Sequence, residues 1–133
     1  HYLVKAAGRN ANLLMNIGPQ PDGCLPEVAV DRLKKVGEWM DIYGETIHGT
    51  RGGIVAPHDW GATTQKQNRF FVHILNLKDK ALYLPTGTTR IKKALDYVSR
   101  KPVRMQKCEG GVVLYLDQVP TDIDKVIELE LVK

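Results

Sequence analysis

The stretch Asn12-Leu-Leu-Met-Asn-Ile17-Gly-Pro-Gln-Pro-Asp-Gly23 decides how the first third of this chain reads. Residues 12–17 are a short apolar run bounded by turn signals, the pattern of a strand buried on both faces, as parallel strands are. Residues 18–23 predict a turn, because Pro fixes φ, Asp bonds its own backbone and Gly takes positive φ. Upstream, residues 2–7 are good helix formers, and Gly8 is placed to end that helix in the left-handed conformation. Downstream, Pro26 and Glu27 suit a helix start, the first through its missing N–H and the second through the dipole. Ala29, Leu33, Val36 and Met40 follow at spacings of four, three and four, which predicts one buried stripe, and the helix should stop at Tyr43-Gly44. Helix, loop, strand, loop, helix is the grammar of an α/β unit. One strand cannot make a parallel sheet alone. Together with the abrupt start at His1, this predicts that residues 1–50 are a piece of a larger sheet in a longer polypeptide.

Past residue 50 the period changes. Residues 51–59 read as a linker containing Gly and Pro, and residues 60–133 as a run of short strands. These are expected near 60–66, 69–75, 81–84, 91–98, 112–117 and 126–132, with a tight hairpin at Gly110-Gly111 after residues 105–109. In the last, Ile127, Leu129 and Leu131 alternate with Glu128 and Glu130, which predicts a half-buried strand with an acidic outer face. The expected fold class is mainly β: an antiparallel β-sandwich preceded by a strand–helix unit.

Composition narrows the partners. The 133 residues carry 19 Lys+Arg and 15 Asp+Glu, a net charge of +4 that is scattered rather than clustered, so no nucleic-acid partner is expected. No stretch approaches the ~20 apolar residues that span a bilayer, so no membrane insertion is expected. Cys24 and Cys108 lack zinc spacing and are open to either a disulfide or two free, partly buried thiols. The four histidines, His1, His48, His58 and His73, form no metal-binding pair, and no glycine-rich nucleotide loop or GxSxG elbow is present, so neither metal nor cofactor is expected. Glu27 with Asp31, and Glu128 with Glu130, read as solvated charge. His73 reads as a hydrogen-bonded sheet residue, Trp39 as core. His48 lies in the loop where the two parts of the chain meet. Trp60 is either a stacking platform for a sugar ring or a plug between layers.

A contiguous signature adds more. Asn12 to Gly23 is followed by Pro26-Glu27, Arg32-Leu33, Val36-Gly37-Glu38-Trp39, Tyr43-Gly44-Glu45-Thr46-Ile47-His48-Gly49-Thr50-Arg51 and Trp60-Gly61-Ala62-Thr63-Thr64. The series resembles the end of the catalytic barrel and the start of the carboxyl-terminal β-sandwich in α-L-fucosidases, a retaining glycoside hydrolase family. His48 departs from the family's usual Tyr, Tyr43 from its Asn and Met15 from its Leu. The resemblance implies that residues 1–50 end a (β/α)8 barrel and that the parent hydrolyses terminal α-L-fucosyl linkages in glycans. It further implies an exported (periplasmic or extracellular) or lysosomal compartment. That chemistry takes an Asp nucleophile and an acid/base carboxyl about 5 Å apart. Both lie upstream in the family, so no catalytic residue is assigned to this chain and it is expected to be inactive alone. Asn16, Asp22, His48 and Trp60 are the candidates for the substrate rim, although Asn16 reads equally as a turn cap. The alternative is a non-catalytic carbohydrate-binding or structural module, with Trp60, Tyr83 and Tyr115 as its aromatics. The orphaned apolar residues Leu13, Leu14 and Ile17 predict fold-back onto the sandwich or a homodimer.

Overall fold

The structure, a computed structural model, describes residues 1–132. It is mainly β, with two antiparallel sheets preceded by two helices. Helix α1 spans Tyr2–Gly8 and α2 spans Glu27–Tyr43, followed by a single 3₁₀ turn at Gly44–Thr46. The strands are β1 Arg51–Gly52, β2 Gly61–Lys66, β3 Arg69–Ile74, β4 Ala81–Leu84, β5 Ile91–Asp96, β6 Arg104–Cys108, β7 Gly111–Tyr115 and β8 Lys125–Leu131. They form a five-stranded sheet ordered β1-β2-β3-β8-β5 and a three-stranded sheet ordered β4-β7-β6. The hairpin joining β6 to β7 turns at Gly110, whose φ of 75° is left-handed and suits a residue without Cβ.

The main core lies between the sheets. Phe70, Val72, Ile74, Ile127 and Leu129 of the larger sheet meet Leu82, Leu84, Val112 and Leu114 of the smaller one. The other face of the larger sheet is covered by the helices. Val4 of α1 packs on Ala62 and Leu75, with Trp39 of α2 and Ile47 alongside.

Four expectations are corrected. Residues 12–17 form no strand: the run is irregular, and Leu14 is 83% exposed. A parallel strand needs neighbours for its slanted hydrogen bonds, and none is within reach. Nor do Leu13 and Leu14 fold back onto the sandwich; both are exposed. Residues 51–59 are not purely a linker, because Arg51 and Gly52 pair with Gln65 and Thr64 as an edge strand. In α2 the half-buried stripe is Ala29, Val36, Trp39, Met40 and Tyr43, so Trp39 joins it while Leu33 falls outside.

Gly8 ends α1, but the residue with left-handed φ is Asn10, at 58°. Gly8 is instead required by close approach: a Cβ there would lie 2.9 Å from the Ala62 Cβ and 3.3 Å from the Thr63 carbonyl oxygen. Helix propensity favours Ala over Gly. Packing reverses that sign here, so Gly8→Ala should lower stability by about 1–3 kcal/mol, the usual cost of overpacking, measured by urea denaturation of the two proteins.

Candidate functional site

The segment the sequence singled out, Asn12 to Gly23, lies in a stretch from Arg9 to Pro26 between the helices that is tied down only at its ends. At the near end the Ala11 N–H donates to the Ala6 carbonyl at 2.9 Å, and the Asn10 side-chain oxygen accepts from the Gly52 N–H at 2.8 Å. At the far end Gln20 N–H donates to Cys24 O at 2.8 Å, Gly23 N–H to Gln20 O at 2.9 Å, and the Asp22 carboxylate accepts from Cys24 N–H at 2.9 Å. Between them, residues 12–19 make no backbone hydrogen bond to any described residue. Folded chains rarely leave so long a run without internal partners. Leu13, Leu14, Met15 and Leu25 are exposed beside it, as are Val28, Leu33 and Ile42 on α2.

Beneath this loop–helix unit the outer face of the larger sheet is polar and largely partnered at its centre, His73 Nε2 and Asp124 Oδ1 being buried without a hydrogen-bond partner among the described residues. Glu128, 6% exposed, sits on β8 between Phe71 on β3 and Leu95 on β5. It accepts from Arg69 at 2.9 and 3.2 Å and from Arg100, and Arg69 also pairs with Glu45 in the 3₁₀ turn. Burial alone would raise the Glu128 carboxyl, but hydrogen bonds from Arg69 and then Arg100 outweigh it and hold it below the usual range. The Arg69 guanidinium is raised by its hydrogen bonds to Glu128 and Glu45, and the Glu45 carboxyl is lowered chiefly by its bond from Arg69. Thr64 donates to the Thr46 carbonyl at 2.6 Å, and His73 Nδ1 lies 2.8 Å from Asp124 Oδ2. Aromatic rings continue the cover: Trp39 stands 6.4 Å from the His73 ring and 5.3 Å from Tyr43, which meets Tyr97 at 5.7 Å.

The expected outer acidic face is therefore wrong for Glu128. Alternation with Ile127 and Leu129 reads as half exposure, but α2 and the following turn cover that face and two arginines neutralise it. Glu130 keeps more solvent and pairs with Lys92 and Lys93 at 3.0 and 2.9 Å.

The candidate rim residues are scattered. Asn16 is exposed and its amide makes no hydrogen bond to a described residue; the turn cap is Asp22. His48 is exposed beside the 3₁₀ turn and lines a cavity of about 520 Å³ with Asn10, Asn12, Leu13 and Arg51. Trp60 is half-buried against the main core, stacked on His58 at 6.1 Å. His48 thus shares a cavity wall with the start of the 12–17 run, whereas Trp60 packs against the sandwich core. Among the described residues no group of three or more His, Cys, Asp or Glu is placed to hold a metal ion. Cys24 and Cys108 are free and exposed, rather than partly buried. What this surface can do chemically is pair: it presents unpaired backbone at residues 12–19 and exposed apolar side chains.

The family model described as alpha-L-fucosidase matches residues 1–45. The plasma alpha-L-fucosidase of Rattus norvegicus is 36% identical over 81 residues, covering 57% of this chain and 17% of the rat protein. Among solved structures, alpha-L-fucosidase isoenzyme 1 from Paenibacillus thiaminolyticus superposes with a TM-score of 0.84 at 30% identity, covering 98% of this chain and 33% of that one. An alpha-L-fucosidase from Bacteroides thetaiotaomicron superposes at 0.87 with 20% identity, a likeness of fold alone. The chain spans about a sixth of the length of the curated relatives and a third of the solved ones.

The Glu128 cluster sets an acid limit. Its folded carboxyl binds a proton less readily than the ordinary value of 4.5, so its stabilisation is complete above that pH and lost as pH falls through the lower folded value. Urea midpoints should therefore drop as pH is lowered below 4.5. Glu128→Gln should cost about 2 kcal/mol at neutral pH and make the acid drop shallower. Glu45, Asp96 and Glu130, also lowered, preserve the remainder.

Proposed function

We infer that this chain, which corresponds to the carboxyl-terminal portion of α-L-fucosidases, completes and supports the catalytic barrel of such an enzyme, one that hydrolyses terminal α-L-fucosyl linkages in glycans by a retaining mechanism. The observation that carries this reading is the run of residues 12–19. It lies within the family-matched segment, is apolar at its start, and lacks backbone partners. Those are the properties of a parallel strand whose neighbours belong to another part of the protein. On this reading residues 1–50 close the barrel and the sandwich covers part of its flank. The exposed Leu13, Leu14, Val28, Leu33 and Ile42 are the buried side of that contact, at ~25 cal/mol per Å² of apolar surface.

Barrel sites form where strands end and loops begin. Asn16 and the turn to Asp22 then belong to the rim and orient neighbouring groups, while the nucleophile and the acid/base carboxyl come from upstream strands. His48, across one cavity from residues 12 and 13, faces the same loop. The glycan substrate engages through the barrel, and the isolated chain is inactive. The half-burial of Trp60 under His58 argues against its use as a flat sugar platform.

Two measurements test this. The 133-residue chain should release no phenol from an aryl α-L-fucoside; turnover would place a catalytic pair within it and overturn the reading. Leu14→Ala should change the stability of the isolated chain by less than about 0.5 kcal/mol, as for a surface site. In the natural gene product, expected to carry the rest of a barrel of ~250 residues, the same change should cost about 2–5 kcal/mol. Equal small effects in both would remove the proposed contact.

A further inference from the structure

At one end of the sandwich, a polar cleft of about 290 Å³ opens between the loop after β5 and the segment joining β7 to β8. It shares no lining residue with the loop–helix surface described above. Its first wall is a tight turn. The Asp96 carboxylate accepts from the Ser99 N–H at 2.8 Å and the Ser99 hydroxyl at 2.9 Å, and the Arg100 N–H donates to the Asp96 carbonyl at 3.0 Å. Lys125 closes the back by pairing with the other Asp96 oxygen. The opposite wall is held where Leu116 N–H donates to Lys80 O at 2.7 Å. The ring of Tyr115 is fixed on two sides: its hydroxyl lies 3.0 Å from Gln106 Oε1, and the Arg104 guanidinium sits 4.7 Å from its centroid.

Elsewhere on the sheets carboxylates are paired, as Glu128 and Glu130 are. Around this cleft Asp96 is paired, with Lys125 and Ser99, but Asp117 and Asp122 are not. The side chains of Lys101, Asp117, Gln118 and Asp122 form no hydrogen bond or ion pair with described residues, and Arg104 spends its charge on the Tyr115 face. Donors and acceptors thus converge on a walled space of near-zero net charge, with Asp96, Asp117 and Asp122 set against Lys101, Arg104 and Lys125. An anionic or a cationic ligand would each meet like charge there. A ligand with many hydroxyls meets none, and each hydroxyl can donate to a carboxylate and accept from a cation at once.

We propose that this cleft binds a neutral sugar unit of a glycan, through Asp117, Asp122, Gln118, Lys101 and Arg104, with Tyr115 as its fixed edge. The volume, near the lower bound for ligand pockets, suits roughly one or two rings. The proposal stands apart from the fucosidase reading, since the cleft needs no barrel and performs no chemistry.

Titration of the ¹⁵N-labelled chain with 2′-fucosyllactose and with N-acetyllactosamine, read as amide shifts, tests it. The expected result is saturable change confined to residues 99–104 and 115–122, with a Kd on the order of 1 mM, for at least one of the two. Asp117→Ala with Asp122→Ala should weaken this at least ~tenfold while the other amides keep their positions, both residues being exposed. No saturable shift with either sugar, undiminished binding in the double variant, or equal binding of glucuronate or glucosamine would each overturn it. Aryl-fucoside turnover plays no part in these outcomes.

Discussion

Phe70, Phe71, Val72, His73 and Ile74 are all buried, so water has to be kept from both sides of β3 at once. Phe70, Val72 and Ile74 face the smaller sheet and are satisfied by apolar packing alone. Phe71 and His73 face the other way, onto a surface that one sheet cannot close. The helices exist in this position to cover that second side, and their coverage brings polar backbone and charged side chains into a region without water. Most such groups find a partner, although His73 Nε2 and Asp124 Oδ1 have none among the described residues. Asp124 meets His73, Thr46 O receives Thr64, and Glu128 takes two arginines. Close contact of α1 with β2 is part of the same constraint, and it explains a glycine at position 8 better than any turn.

The chain is therefore satisfied very unevenly. Residues 61–131 pair strand by strand, and the buried Glu128 is neutralised by Arg69 and Arg100 within the fold. Residues 12–19 pair with nothing among the described residues, although their composition is that of a buried strand. A local sequence cannot decide between these conditions, because the hydrogen bonds of a parallel strand are supplied by segments remote in sequence. Apolar side chains at 13, 14, 28, 33 and 42 are likewise exposed, and they form the face on which the proposed contact rests.

Much of the sandwich was legible. The strand at Ala81–Leu84 and the Gly110 turn followed from alternation and turn chemistry, and α2 from its Pro-Glu start and its spacing. The acidic cluster was not. Glu128 alternates with Ile127 and Leu129 as a solvent-facing residue would, and only the arrival of Arg69, Arg100 and the helical cover made it buried. The missed signal was Arg69, a cation opening an otherwise apolar strand. The polar cleft was equally hidden, since its carboxylates and cations come from two loops joined in space by the pairing of β5 with β8 and β6 with β7.

Sequence by itself determined where both helices and most strands of the sandwich form, because periodicity, prolines and glycines act over a few neighbouring residues. Tertiary structure alone decided which face of the larger sheet is covered, that Gly8 meets Ala62, that Glu128 is buried and that Asn12 to Ile17 is left unpaired. Those outcomes depend on which surfaces meet, and surfaces meet through contacts between residues far apart along the chain.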